Sequence, residues 1–284
     1  MLNWRAIEPF GCVVDLDISQ PLAPEQEREL RKLLWDRQVL IFKGQCLTHE
    51  RQADIIEVFA PVWRNKEGMH FVTTEEDDPG GLGRGELTFH SDCAFMDKPR
   101  TVLSLHALDV VDGETSTKWA SARNCLESLP ARLRQRLETA KVLNVMPSEY
   151  TDRFSTSAVP DWLPHHWHDA LIRHPHTGER LPYIMEMQSA GIDGASAADG
   201  DEIIRATLDC FYRPEATLEH VWHNGDFVIW DNISTQHARG SLDGKGRRVL
   251  QKVQAGGTSL FEWPFFDTPE VQNLLNATST VEKL

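Results

Sequence analysis

His90 and Asp92 stand two residues apart in "LTFHSDCAF", and His237 closes "GDFVIWDNISTQH", 145 residues beyond Asp92. If the first stretch is extended, its side chains alternate between faces, so His90 and Asp92 share one. An imidazole and a carboxylate buried side by side cost desolvation free energy unless something pairs them. A metal ion would do so, and so would a plain His–Asp hydrogen bond. Two neutral imidazoles and one carboxylate can occupy one face of an octahedron. That set suits non-heme Fe(II) and leaves three positions open for further ligands. An HxD pair alone arises by chance in many chains. The distal "WDNISTQH" carries more weight, because several residue types coincide there.

The elements that must position these residues are mostly short strands. "VLIFKG" (39–44) reads as a buried strand, and "RTVLSLHALDVV", "TLEHVWH", "GDFVIWD" and "GRRVLQKVQAG" read as others. "ALIRHP" and "LPYIMEM", joined at "HTGER", predict a hairpin, and "KVLNVM" another strand. "PLAPEQERELRKLLWDRQ" predicts a helix with Pro24 in its first turn and a stripe of Leu30, Leu33 and Leu34. "THERQADIIEVFA" predicts a second helix, capped by Thr48. "SARNCLESLPARLRQRLETA" reads as helical in its second half, and "DGDEIIRATLDCFYRP" as a helix. The pattern predicts a mainly β sandwich braced by helices, one domain over 1–284, with lid or loop insertions around 70–88 and 147–169. The glycines of "TEEDDPGGLGRGE" open no helix after a strand, so a dinucleotide-binding reading fails.

The bulk numbers narrow the function classes. With 284 residues the chain is long enough for a sizeable core. Its 29 basic and 43 acidic residues give a formal charge of −14. Nucleic acid and anionic membranes are therefore not expected partners. The five cysteines are widely spaced and form no CxxC, which reads as reduced thiols in the cytoplasm. The first eighteen residues lack the pattern of a secretory signal.

Taken in order, "VLIFKGQ", "FHSD", "DGETSTKWAS", "IRHPHTGERLPYI", "GDFVIWDNISTQH" and "GRRVLQKV" resemble the taurine dioxygenase (TauD/TfdA) family of Fe(II)/2-oxoglutarate-dependent dioxygenases, over roughly residues 10–255. The resemblance implies a double-stranded β-helix, or cupin-like jelly roll. It implies Fe(II) on His90, Asp92 and His237, with 2-oxoglutarate and O2 as cosubstrates. It implies that Arg248, eleven residues after the distal histidine, pairs with the far carboxylate of 2-oxoglutarate, with Arg247 as its rival. A threonine hydroxyl, from Thr117 with Thr115 as rival, would add a hydrogen bond. Related halogenases replace the carboxylate of the triad with a small residue, so Asp92 argues for oxygenation. The expected reaction is hydroxylation of a small organic substrate with release of succinate and CO2. Desaturation or cyclisation would use the same cofactors, and an idle jelly-roll binder would be a different class. Relatives often self-associate, which leaves a homo-oligomer open.

Two further residues are candidates to face the substrate. Lys252 follows Arg248 by four residues, so the two share a strand face. Family members that use taurine carry an arginine there, and a lysine would offer a point charge to an anionic substrate. His70, in "GMHF", is the other. "HHWH" (165–168) reads as a surface lid rather than a metal site, His106 as a satisfied strand histidine, and Cys93 as packing.

Overall fold

Strand Val39–Phe42 is apolar at every position because both of its faces are covered. Val39 and Ile41 pack in the interior between two sheets, while Leu40 and Phe42 pack with helices outside. Strand Phe227–Asp231 repeats this, with Val228 and Trp230 in the interior and Phe227 and Ile229 on the helix side. The computed structural model describes residues 1–74, 84–147 and 159–278.

The larger sheet has seven strands, in the order Asn3–Ala6, Cys12–Asp15, Val39–Phe42, Phe227–Asp231, Val102–Val110, Arg248–Ala255 and Met69–Thr73. Its neighbours are antiparallel except where Cys12–Asp15 meets Val39–Phe42. A four-stranded antiparallel sheet packs across from it, in the order Thr217–Val221, Ser116–Ser121, Thr235–Arg239 and Leu87–His90. The two sheets enclose a core that includes Val72, Leu105, Trp119, Trp230 and Leu250. This is the expected double-stranded β-helix, a jelly roll.

Helices Pro24–Arg37 and His49–Glu57 cover the outer face of the larger sheet through Leu30, Leu33, Leu34, Ile55 and Ile56. Thr48 caps the second, its Oγ1 accepting from the Arg51 amide. A second layer holds the sheet Ser189–Ile192, Lys141–Val145 and His165–Asp169, together with the expected hairpin Leu171–Arg173 and Arg180–Pro182. Helices Ala122–Ser128, Ala131–Leu137 and Ala197–Phe211 pack beside them.

Three features depart from the sequence reading. The stretch 122–138 is helical in both halves, with the break at Pro130. The expected loop insertions begin or end in strands. Met69–Thr73 and Leu87–His90 bound the first, and His165–Asp169, which pairs with Lys141–Val145, ends the second. Proline and polar residues masked this last strand. It forms because Trp167 packs against an apolar cluster and His168 finds the carbonyl of Met96 at 2.9 Å. Residues 75–83 and 148–158, the centres of both expected insertions, lie outside the described residues.

Candidate active site

The two histidines come from neighbouring strands of the smaller sheet, where His237 stands directly opposite His90. Their ring centroids are 4.1 Å apart. Asp92 lies in the turn that follows Leu87–His90, and its Oδ1 is 3.5 Å from Nε2 of both histidines. One ligand atom from each residue falls within 4.8 Å of the others, and this is the only such group of three or more among the described residues. Metal bonds of about 2.1 Å to nitrogen and oxygen can be met from this arrangement with small movements.

Each donor is held in the form a metal needs. His90 Nδ1 lies 2.8 Å from the carbonyl of Thr88, which can only accept, so the proton sits on Nδ1 and Nε2 is left bare. Burial, reinforced by His90, drives His237 well below the usual imidazole range and keeps it neutral. Burial pushes Asp92 the other way. The Lys252 ammonium beside it outweighs burial and holds the carboxyl well below its ordinary range.

The "WDN" before the distal histidine is the frame of this turn. Trp230 packs on His237, with ring centroids 5.0 Å apart. Asp231 Oδ1 accepts from the amides of Ile233 and Ser234, which fixes the bend between strands. Its Oδ2 accepts from Nε2 of the buried His174 at 2.9 Å. His174 Nδ1 accepts from the amides of His176 and Thr177, so His174 is the neutral Nε2–H tautomer. Asn232 grips Asp92 through both its amide and its carbonyl. Gln188 does the same for Ser91, accepting at 3.4 Å and donating at 3.0 Å. Cys93, at φ 56°, completes the turn, and burial pushes its thiol up to about 11, so it stays protonated.

The triad opens onto a narrow cavity of about 50 Å³ between the sheets. Strand Arg248–Ala255 sends Arg248, Leu250 and Lys252 inward, and both cations line that cavity with Thr117, Trp230 and Arg239. Arg248 is buried, and its Nε and Nη1 meet no hydrogen-bond acceptor. Burial, with Arg239 nearby, pushes it down to about 9, still protonated at neutral pH. A guanidinium in that state is destabilising until an anion arrives, and a carboxylate matches its fork. Thr117 Oγ1 accepts from Trp222 Nε1 at 3.0 Å, leaving its own hydrogen to donate. The rivals sit elsewhere. Arg247 is on the surface beside Asp109 at 3.2 Å. Thr115 is buried away from the cavity lining.

These side chains therefore suit a divalent metal and a dicarboxylic keto acid. The family described as "Taurine catabolism dioxygenase TauD, TfdA family" matches residues 4–254. The chain belongs to this family. It is an Fe(II)- and 2-oxoglutarate-dependent dioxygenase, with O2 as the oxidant. It is 28% identical to pentalenolactone F synthase of Streptomyces avermitilis, across 86% of this chain and 90% of that protein. It is 24% identical to the alpha-ketoglutarate-dependent 2,4-dichlorophenoxyacetate dioxygenase of Cupriavidus pinatubonensis, across 85% and 92%. The crystal structure of a taurine dioxygenase from Burkholderia xenovorans superposes with a TM-score of 0.76 at 19% identity, covering 90% of each chain.

The substrate candidates fare differently in this dioxygenase. Lys252 reaches the cavity, but its ammonium pairs with Asp92 Oδ2, so it already has a partner other than a substrate anion. His70 stands opposite Lys252 on the next strand and does not line the cavity. Burial, helped by the Lys252 charge, pushes it down to about 3. His106 lies in a strand as read, but only its Nε2 is satisfied, meeting the carbonyl of Gln45 at 3.1 Å, while its buried Nδ1 meets no partner. Arg239, Asn232 and Gln188 escaped the sequence reading. Asn232 lies within the "WDNISTQH" stretch, and Arg239 left a signal two residues after His237, on the same strand face. No helix among the described residues is long and apolar enough to cross a membrane.

Proposed function

We propose that this dioxygenase hydroxylates a C–H bond of a small organic substrate. In this reading His90, Asp92 and His237 hold Fe(II), and Arg248 with Thr117 binds the far carboxylate of 2-oxoglutarate. The observation that carries it is the buried Arg248, with two donors lacking acceptors, facing the same cavity as the triad. A protein keeps such a charge only where a ligand completes it.

When bound, Fe(II) with 2-oxoglutarate and O2 supplies the oxidising power, and the cosubstrate leaves as succinate and CO2. The chain's own contribution is placement. Arg248 and Thr117 fix one end of the keto acid, so that its other end meets the metal positions the triad leaves open. Val72, Leu87, Leu105 and Trp230 line the cavity with apolar surface and limit water. Asp92 keeps one carboxylate in the ligand set and so leaves no ligand position for a halide. The proposal is tested by anaerobic addition of Fe(II) and 2-oxoglutarate, which should produce a weak visible charge-transfer band. A substrate panel assayed for succinate release and for a hydroxylated product then tests the reaction. Absence of the band would sink the ligand assignment, and a product lacking new oxygen would redirect it to desaturation or cyclisation.

A further inference from the structure

Asp92 divides its two oxygens between different partners. Oδ1 faces Nε2 of His90 and of His237 at 3.5 Å each, and Oδ2 faces the Lys252 ammonium. We propose that Lys252 is a positioning residue for the metal-ligating carboxylate, holding Oδ2 so that Oδ1 alone is presented to the metal. This rests on the reading of His90, Asp92 and His237 as the metal ligands.

The lysine is built for a fixed task. Its strand is paired on both sides in the larger sheet, laddered to Val102–Val110 on one side and to the edge strand Met69–Thr73 on the other. Its carbonyl also accepts from His49 Nε2 at 3.0 Å, from the helix layer outside. The backbone is thus held on three sides, and the residue is only 8% exposed. Lysine suits the task because a compact ammonium can sit on one carboxylate oxygen. Arg248 is four residues back on the same face, about 13 Å away at a strand rise of about 3.3 Å per residue. One strand therefore carries a cation towards each end of the cavity, one awaiting an anion and one already paired.

The consequence concerns coordination. A carboxylate free to turn can chelate a metal through both oxygens, taking a position that a bidentate keto acid needs. With Oδ2 held, Asp92 contributes one bond and three positions stay open.

The full-length protein, its Lys252→Met variant and its Lys252→Arg variant are titrated anaerobically with Mn(II), then as Fe(II) forms with 2-oxoglutarate. Loss of a group that orients a ligand weakens metal binding about 10-fold or more. Lys252→Met should show that loss, with a shifted or weakened visible band. Lys252→Arg, which keeps a cation in reach of Oδ2, should recover most of both. Wild-type Mn(II) affinity together with an unchanged band in Lys252→Met overturns the proposal. So does a Lys252→Met variant altered only in its KM for substrate, the pattern of a substrate-gripping lysine. Near-UV circular dichroism checks the fold first. If Lys252→Met does not fold, Lys252→Leu takes its place with the same two readouts. If the wild-type chain binds neither Mn(II) nor Fe(II), the ligand assignment fails and this inference with it. Normal wild-type binding with no effect of the variants defeats Lys252 alone.

Discussion

Asn232 holds Asp92 by its backbone at both ends, its Oδ1 accepting from the Asp92 amide and its Nδ2 donating to the Asp92 carbonyl, each at 3.1 Å. The same Nδ2 reaches the carbonyl of Arg100 at 2.8 Å. One buried amide therefore fixes the turn that carries the carboxylate. Asn232→Ala leaves these buried backbone groups without partners, which should cost about 1–3 kcal/mol of stability for each group left unsatisfied. The variant should melt at lower temperature and bind Mn(II) more weakly than wild type. An unchanged metal affinity in a folded Asn232→Ala protein would show that the turn holds its shape without this clamp.

Arg248 offers two separable effects. Without cosubstrate its buried, unmatched guanidinium is destabilising, so Arg248→Met should leave the metal-free protein as stable as wild type or more so. With 2-oxoglutarate the order reverses. Wild type should gain thermal stability on binding, and the variant should not. Loss of the charge-assisted pair should raise the KM for 2-oxoglutarate by an amount equivalent to about 2–5 kcal/mol. Arg247→Gln, altered only at the surface beside Asp109, should behave as wild type. If Arg247→Gln raises that KM instead, the register of the strand has been misread.

Much of this site was legible because residue type and local spacing carry its chemistry. HxD sets two candidate metal donors one residue apart, and strand alternation puts Arg248 and Lys252 on one face and Arg247 on the other. The fold was legible for the same reason, through runs such as "VLIF" and "FVIW" that need cover on both sides. What stayed hidden depends on chain segments far apart. Asn232 meets Asp92 across 140 residues, and Gln188 meets Ser91 across 97. No local pattern announces either contact. Lys252 was placed on the correct face, yet its partner lay 160 residues away. Strand His165–Asp169 was obscured by the prolines before it and by histidines that suggest solvent.

The triad itself makes a simple demand. His237→Ala removes a neutral nitrogen that burial keeps available, and leaves two donors for the ion. Anaerobic Fe(II) binding should fall by far more than in the Asn232 variant, and succinate release should stop. His237→Gln should fare no better, since an amide oxygen cannot replace an imidazole of this softness. Full Fe(II) affinity in His237→Ala, measured calorimetrically, would require a different ligand set.

His168 gives the fold a dependence on acid that is separate from the metal. It is buried, its Nε2 donates to the carbonyl of Met96 at 2.9 Å, and burial together with His166 pushes it down to about 4, against the partial opposition of the Met96 and Ala94 carbonyls and of Asp97. An unfolded histidine takes up its proton near pH 6.5. Between that pH and about 4 the unfolded chain holds a proton that the folded chain refuses, so acid favours unfolding in this window. Stability should fall as pH drops through it, by up to about 1.4 kcal/mol per pH unit from this one group. His168→Gln keeps an N–H for Met96 but cannot titrate. Urea midpoints at pH 7, 5.5 and 4.5, with metal chelated in both proteins, should fall more steeply for wild type than for His168→Gln. Parallel curves for the two would mean that His168 is protonated in the folded state and that its burial is compensated by another group.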